Sequence, residues 1–365
     1  MTSSIETTPN SSKNILYLLN HKTLTDFEVP ILMKRGFGVY IPKKFGSINK
    51  TDHSFSPPST LYDESLKMSV KDYLYLNKVD FFCENPFHDE KLMYILNNNF
   101  SSIITTLITK LDDLKYLLNN YKGVVYLRIF GNDESYSYYT NYLKGNEEIF
   151  SKNIKFAFCF KEIIKFENTI HSHFNSNNSL YIPCGLPDYF FSRYENTYNP
   201  TNSSCVFVCS KINVCSYYTD VYNRFNKIIQ NKDSRIDFII LGKNNEDASK
   251  TDNRIKNNLP DEEYFGEMST CIAMYYDSKE PRHLHYHPIE AIIIGLPLIF
   301  HRESVLTSFF PISPGKCNTD EEVIEKLSKL RNGDVLFKNS IIEYQNGIKH
   351  IFKIENNLHI FDEIA

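Results

Sequence analysis

The sequence predicts an α/β protein of two consecutive Rossmann-like domains, and three observations predict it. Short continuous apolar runs, as strands buried on both faces require, recur along most of the 365 residues. Amphipathic helical patterns separate these runs, so the strands pair in parallel through helical crossovers. The alternation lapses once, over residues 183–204, a stretch with three prolines, and then restarts.

Taken in order, residues 1–13 are rich in Ser, Thr and Asn and read as a flexible tail. Ile15-Leu16-Tyr17-Leu18-Leu19 is a continuous apolar strand. A polar loop from Asn20 to Asp26 leads into an amphipathic helix ending at Gly36, and a strand over 37–41 closes a βαβ pattern. Residues 43–59, with Pro57-Pro58, read as loop. Further strands are expected at 79–83, 102–106, 124–129, 155–160 and 179–182, with helices near 66–76, 88–99, 109–121, 136–150 and 160–172. After the connector come strands at 205–209, 236–241, 271–276 and 298–300. The helices between and after them are 217–230, 261–269, 288–294 and 320–330, the last with Thr319 as its N-cap. The tail from 338 carries mixed signals. The expected domains are 14–190 and 200–340, with 341–365 packing back on the first. They should face each other across a cleft lined by loops at the carboxyl ends of the strands, with a hinge near 183–204.

Composition narrows the function. Hydrophobic residues make up 42% of the chain, enough for two cores, and the net charge of −4 supplies no global basic field to draw nucleic acid. No run approaches the ~20 apolar residues of a membrane span. The N-terminus lacks a signal-peptide apolar core. None of the eight cysteines forms a C-x-x-C, and most sit in apolar runs, so buried free thiols in a reducing, cytoplasmic compartment are expected.

The most informative segment runs from Arg282 to Phe300. It carries His283, His285 and His287, then Pro288, Glu290, a short apolar helix, Gly295, Pro297 and a buried strand. Proline suits the first helical position, where a missing N–H loses no bond. His287 would then occupy the cap and Glu290 the first turn, with Gly295 ending the helix after two turns. A helix pinned this way presents free N–H groups to a diphosphate, on the order of 0.3–2 kcal/mol from the dipole alone. Glu290 can accept hydrogen bonds from ribose hydroxyls. The three histidines alternate at period two, so on a strand they would share one face. That spacing invites a metal reading, but no cysteine pair or carboxylate stands at familiar ligand spacing, and ligand recognition is the preferred role.

Glu290-Ala291-x-x-x-Gly295-x-Pro297 before an apolar strand resembles the nucleotide-sugar signature of GT-B glycosyltransferases, especially family 4. The resemblance covers residues 205–300, and the N-terminal half by architecture alone. It implies that Glu290 holds the donor ribose, and that transfer proceeds from a nucleotide-sugar to a hydroxyl of a glycan or lipid-linked saccharide in surface polysaccharide or glycoconjugate synthesis. The second family glutamate lies eight residues earlier, where this chain has Arg282, a charge reversal; Glu280 is displaced by two. His287-Pro288 is similar to the His-Pro pair of CMP-sugar transferases of the same fold, whose histidine meets the donor phosphate. A CMP-sugar (sialic acid or Kdo) transferase and a non-catalytic glycan-binding protein therefore stay open as alternatives.

Remaining candidates follow from position. Ser210 and Lys211 follow the first strand of the second domain and Lys243 follows its next, where a lysine can neutralise phosphate as a mobile point charge. Arg282 could do so as a planar fork and His285 as a hydrogen-bonding partner. A base for the acceptor hydroxyl would come from a strand end of the first domain, His21 or Glu84, with the stretch from Arg128 to Asp133 also at a strand end. No metal or other cofactor is required when helix N-termini and Lys or Arg carry the charge. The implied acceptors leave peripheral association with the inner face of a membrane open. No Walker A sequence, Gly-x-Ser-x-Gly elbow or His-Glu-x-x-His is present.

Overall fold

The apolar runs of the first half assemble into a six-stranded sheet in which every pairing is parallel. The computed structural model describes residues 13–19, 21–42, 66–83, 85–106, 111–131, 137–230 and 236–364. The strands β1 (Asn14–Tyr17), β2 (Gly38–Tyr40), β3 (Ser102–Thr105), β4 (Val124–Ile129), β5 (Ile154–Phe158) and β6 (Ser179–Tyr181) lie in the order β2-β1-β3-β4-β5-β6. Ile15 pairs with Val39 on one side and Ser102 on the other, and Leu127 pairs with Phe156. Ile15, Leu16 and Tyr17 are all fully buried, as a strand covered on both faces demands. Among the described residues five helices accompany these strands: α1 (Lys22–Lys34), α2 (Val70–Leu76), α3 (Glu90–Asn99), α4 (Leu111–Asn120) and α5 (Lys161–Ile170). Asp89 starts α3 as a true cap, its carboxylate accepting from the N–H groups of Lys91 and Leu92.

Charge is buried at the carboxyl end of this sheet. Arg128 on β4 and Glu28 on α1 pair at 2.7 Å with no exposed side-chain surface on either. Tyr17 donates to the same carboxylate at 2.9 Å, and Arg128 also donates to the carbonyls of Ala157 and Ile182. One guanidinium thus ties α1 to β4, β5 and the end of β6. Arg128 is a structural clamp beneath the strand ends and not an open loop group.

The second half forms another all-parallel sheet of six strands. These are β7 (Cys205–Val208), β8 (Phe238–Gly242), β9 (Ile255–Asn257), β10 (Ala273–Tyr276), β11 (Leu298–His301) and β12 (Lys316–Cys317), ordered β12-β11-β10-β7-β8-β9. The order reverses between β7 and β10, giving the dinucleotide-fold topology. Its helices are α6 (Asp188–Tyr194), α7 (Ser216–Gln230), α8 (Asp261–Thr270), α9 (His287–Ile294), α10 (Leu306–Phe309), α11 (Asp320–Arg331) and α12 (Val335–Ile348). Phe207 and Phe225 stack with ring centres 4.0 Å apart in a core that includes Tyr275, Ile299 and Leu327. The buried Gln345 of α12 accepts from the N–H of Leu298 and donates to the carbonyl of Leu296, closing the entry to β11.

The chain divides into two compact units. One comprises Met1–Phe130, Tyr136–Pro187 and Ile354–Ala365; the other comprises Gly131–Ser135 and Asp188–Lys353. In the first unit Ile354, Ile360, Phe361 and Ile364 join the core around Phe27 and Leu32.

Several expectations are corrected. Residues 79–83 form turns instead of a strand, because the Asp80 side chain accepts the N–H of Phe82 and bends the run. The expected helix over 136–150 becomes a wide turn, Tyr139–Leu143, and a tight one, Glu147–Ser151, separated by Gly145 at φ +83°. The buried Glu167 draws the N–H groups of Tyr138 and Tyr139 away from any regular ladder. The connector over 183–204 contains α6, with Phe190 and Phe191 buried. Strands β9 and β12 were not anticipated. The tail that gave mixed signals is α12 followed by short tight turns over Lys349–Phe352 and Ile354–Phe361. The expected N-terminal tail (save Lys13) and the 43–59 loop lie outside the described residues. No described helix is long and apolar enough to cross a membrane.

Candidate functional site

In the second unit β10 runs into a loop over 277–286 and then into α9. The helix starts one residue earlier than the proline suggested: His287 is its first residue, Pro288 its second, and Tyr286 stands at the cap position without a side-chain capping hydrogen bond. Gly295, at φ +88°, ends the helix in the left-handed conformation that glycine adopts without strain. Six of the eight residues of α9 are buried, which leaves His287 and Glu290 as its half-buried polar groups. Glu290 shares a hydrogen bond with Tyr264 of α8. Burial, then the nearby carboxylate of Asp261, push its carboxyl from 4.5 up to about 8, against the opposing pull of Lys243 and Tyr264. In the free protein Glu290 is therefore mostly a neutral acid at pH 7.

The three histidines meet, though not on a strand. His283 and His285 lie in the loop, yet the His285 ring stands 4.6 Å from that of His283, edge to face, and 5.2 Å from that of His287, stacked. The hydroxyl of Tyr218, on α7, lies 3.3 Å from Nε2 of His285, and that of Tyr276, on β10, lies 3.3 Å from Nδ1. With one ring nitrogen a donor and the other an acceptor, neutral His285 satisfies both hydroxyls. Burial, then His285 and His283, hold His287 well below the ordinary histidine range, so it is neutral at pH 7. Among the described residues no group of three or more His, Cys, Asp or Glu side chains is placed to hold a metal ion. Arg282 turns back within the loop: its Nε lies 3.4 Å from the buried carboxylate of Glu280, which also takes the Arg282 N–H.

Two strand-end loops complete the arrangement. The loop after β7 is joined to the end of β8 by three groups. Ser210 Oγ accepts from the Lys243 N–H at 3.0 Å, and the Lys211 N–H donates to the Lys243 carbonyl at 2.9 Å. The fully buried Asn245 accepts from the N–H of Ile212 and donates to the carbonyl of Cys209, both at 2.8 Å. A Cβ on Gly242 would stand 2.1 Å from that carbonyl, so only glycine lets the two strand ends approach this closely. Both lysine side chains are exposed, and Lys243 is near enough to act on Glu290.

The structure thus brings together Glu290, Lys243, Ser210 and Lys211 at the carboxyl ends of β7 and β8, and places His285 and His287, with Arg282 in the same loop, after β10. His21 belongs to the first unit, where it precedes α1 in extended conformation without capping it. Glu84 lies outside the described residues, and the strand meant to present it does not form. Sequence reasoning missed Asn245, Tyr264, Tyr218 and Tyr276, whose only signal was their closeness in the chain to strand ends or to α9.

No protein-family model and no curated protein sequence matches the chain. Solved structures do. Sucrose-phosphate synthase from Thermosynechococcus elongatus is similar over 96% of this chain and 98% of its own, at 9% identity and a TM-score of 0.60. HepE from Anabaena, in complex with UDP-glucose, covers 96% and 99% at 12% identity and a TM-score of 0.61. The T4 phage BGT in complex with its UDP-glucose substrate covers 96% and 98% at 12% identity and 0.52. At these identities the likeness shows the fold: two Rossmann-like domains, as in GT-B glycosyltransferases.

Proposed function

We propose that the second domain binds a nucleoside-diphosphate sugar and that the protein transfers the hexose to a hydroxyl of an acceptor. One observation carries this reading. Glu290, Lys243, Ser210, Lys211 and the histidine cluster gather at the strand ends beside the reversal of strand order, where open α/β sheets bind nucleotides. The fold shared with HepE and the T4 enzyme, each solved with UDP-glucose, supports it.

Each group has a role in this scheme. Neutral Glu290 can donate one hydrogen bond and accept another, which suits the paired ribose hydroxyls. Lys211 and Lys243 offset the charge that develops on the leaving diphosphate, with Ser210, Arg282 and the first N–H groups of α9 as further donors. His285 and His287 line the same loop and contact the phosphate or the departing oxygen. In this scheme these cations and donors supply the charge neutralisation that a divalent metal can supply elsewhere. His21, which precedes α1 in the first domain, is the candidate base for the acceptor proton. By analogy the acceptor is a glycan or lipid-linked saccharide, reached from the cytoplasm with or without peripheral membrane association.

Titration calorimetry with UDP, GDP and CMP tests the assignment and separates the donor classes. Binding of at least one, weakened by Glu290→Ala in a protein that still melts cooperatively, is the expected result. No binding of any of the three, or affinity unchanged in folded Glu290→Ala, overturns it. Release of nucleotide from the matching sugar donor then distinguishes an enzyme from a binding module.

A further inference from the structure

A second polar network lies beside the reversal point, joining α7, the ends of β10 and β11 and the start of α11. Asp277 follows the last residue of β10, and its side chain is completely buried. Its carboxylate accepts from Arg224 of α7 through Nε at 2.8 Å and Nη2 at 2.6 Å, and from the Tyr275 hydroxyl at 2.5 Å. Arg224 also donates to the Asp277 carbonyl at 3.1 Å. The Tyr275 hydroxyl lies 3.2 Å from Nε2 of the buried His301, which in turn lies 3.1 Å from Asp320; Lys279 pairs with the same Asp320 oxygen. The chain Arg224–Asp277–Tyr275–His301–Asp320–Lys279 is balanced in charge, with two cations, two carboxylates and neutral groups between them.

The helix that holds Asp277 also holds His285. Tyr218 lies six residues before Arg224 on α7, and its hydroxyl meets the His285 ring. So α7 grips the 277–286 loop at its entry and again near its exit. Between these points Glu280 fixes the loop internally, through the Arg282 N–H and through its own carbonyl to the Val305 N–H.

We propose that Arg224 and Asp277 are positioning residues for donor binding, holding the β10–α9 loop so that Arg282, His285 and His287 stand in register with the start of α9. The inference rests on the donor-site reading for its consequence, but the loop geometry is tested without any nucleotide. The experiment compares wild type with Arg224→Gln, Arg224→Lys and Tyr218→Phe, the last removing one hydroxyl and no charge. Histidine ring resonances are followed by NMR in protein labelled at histidine, and UDP affinity is measured in parallel. Arg224→Gln should move the His285 and His287 signals and weaken UDP binding at least fivefold. Arg224→Lys, which keeps the charge and loses the fork, should fall between. Tyr218→Phe should move the His285 signal. Histidine signals in Arg224→Gln that coincide with wild type overturn the proposal, whatever happens to UDP binding or to the signals of Tyr218→Phe. If wild type binds none of UDP, GDP and CMP while the signals move as stated, the donor assignment falls and the role of Arg224 and Asp277 in holding the loop stands.

Discussion

Glu290→Gln should change the pH dependence of stability in a predictable direction. The folded carboxyl titrates near 8, against 4.5 for an ordinary glutamate, chiefly because of burial. Between these values the folded protein keeps a proton that the unfolded chain has released. Stability must therefore fall as pH rises from about 4.5 to about 8, and level off above. At about 1.4 kcal/mol per pH unit, the ceiling is about 5 kcal/mol. Because Glu290 is only half-buried, solvent screening reduces this to about 2–3 kcal/mol. Glutamine has nearly the same shape, retains an acceptor for Tyr264 and has no charge to desolvate. Urea unfolding of wild type and variant at pH 5, 6, 7 and 8 should show curves that diverge, the variant gaining about 2–3 kcal/mol relative to wild type across that range. Parallel curves, within about 0.5 kcal/mol of a constant offset, would refute the reasoning and return Glu290 to an ordinary solvated carboxylate.

His287→Ala should lower turnover at least tenfold, about 1.4 kcal/mol of barrier, and unchanged turnover removes it from the site. Asn245→Ala deletes the two Asn245 side-chain bonds among those that join the β7 and β8 loops and leaves buried backbone groups unpaired; a loss of about 1–3 kcal/mol by denaturation, with weaker UDP binding by calorimetry, is expected. Arg128→Met leaves Glu28 buried without its cation, so it should cost about 3–5 kcal/mol, and the double variant with Glu28→Leu should recover most of the loss in a double-mutant cycle.

Strands buried on both faces advertise themselves, which is why β1, β4, β7 and β10 were legible as apolar runs. The two strands that escaped are short edge strands. Ile255-Lys256-Asn257 has one apolar side chain, and Lys316-Cys317 spans two residues, so neither carries a pattern. Phe81-Phe82-Cys83 carried the pattern without the strand, since hydrophobicity specifies burial and Asp80 specifies the turn. Alpha helix α9 was legible through Pro288 and Gly295, which act locally. Its partners were not. Tyr264 lies 26 residues before Glu290, and Arg224 lies 53 before Asp277 (290 − 264 and 277 − 224). Only strand order brings such residues together.

That placement has an electrostatic consequence that composition hides. The chain is net negative, yet the strand ends of β7 and β8 expose Lys211 and Lys243, the latter near a carboxyl that burial pushes toward its protonated form. An ionised Glu290 would cancel part of the lysine field at short range, where two unit charges at 4 Å and an effective dielectric near 20 interact by about 4 kcal/mol. Suppressing that charge leaves the field available to an anion. On the proposed function, a diphosphate would gain from the lysines without displacing an internal ion pair, while the neutral acid would still hydrogen-bond to a sugar hydroxyl. The apolar surroundings of α9 therefore do two things at once: they stabilise the helix by burial, and they favour the protonated carboxyl that leaves the Lys243 charge unopposed.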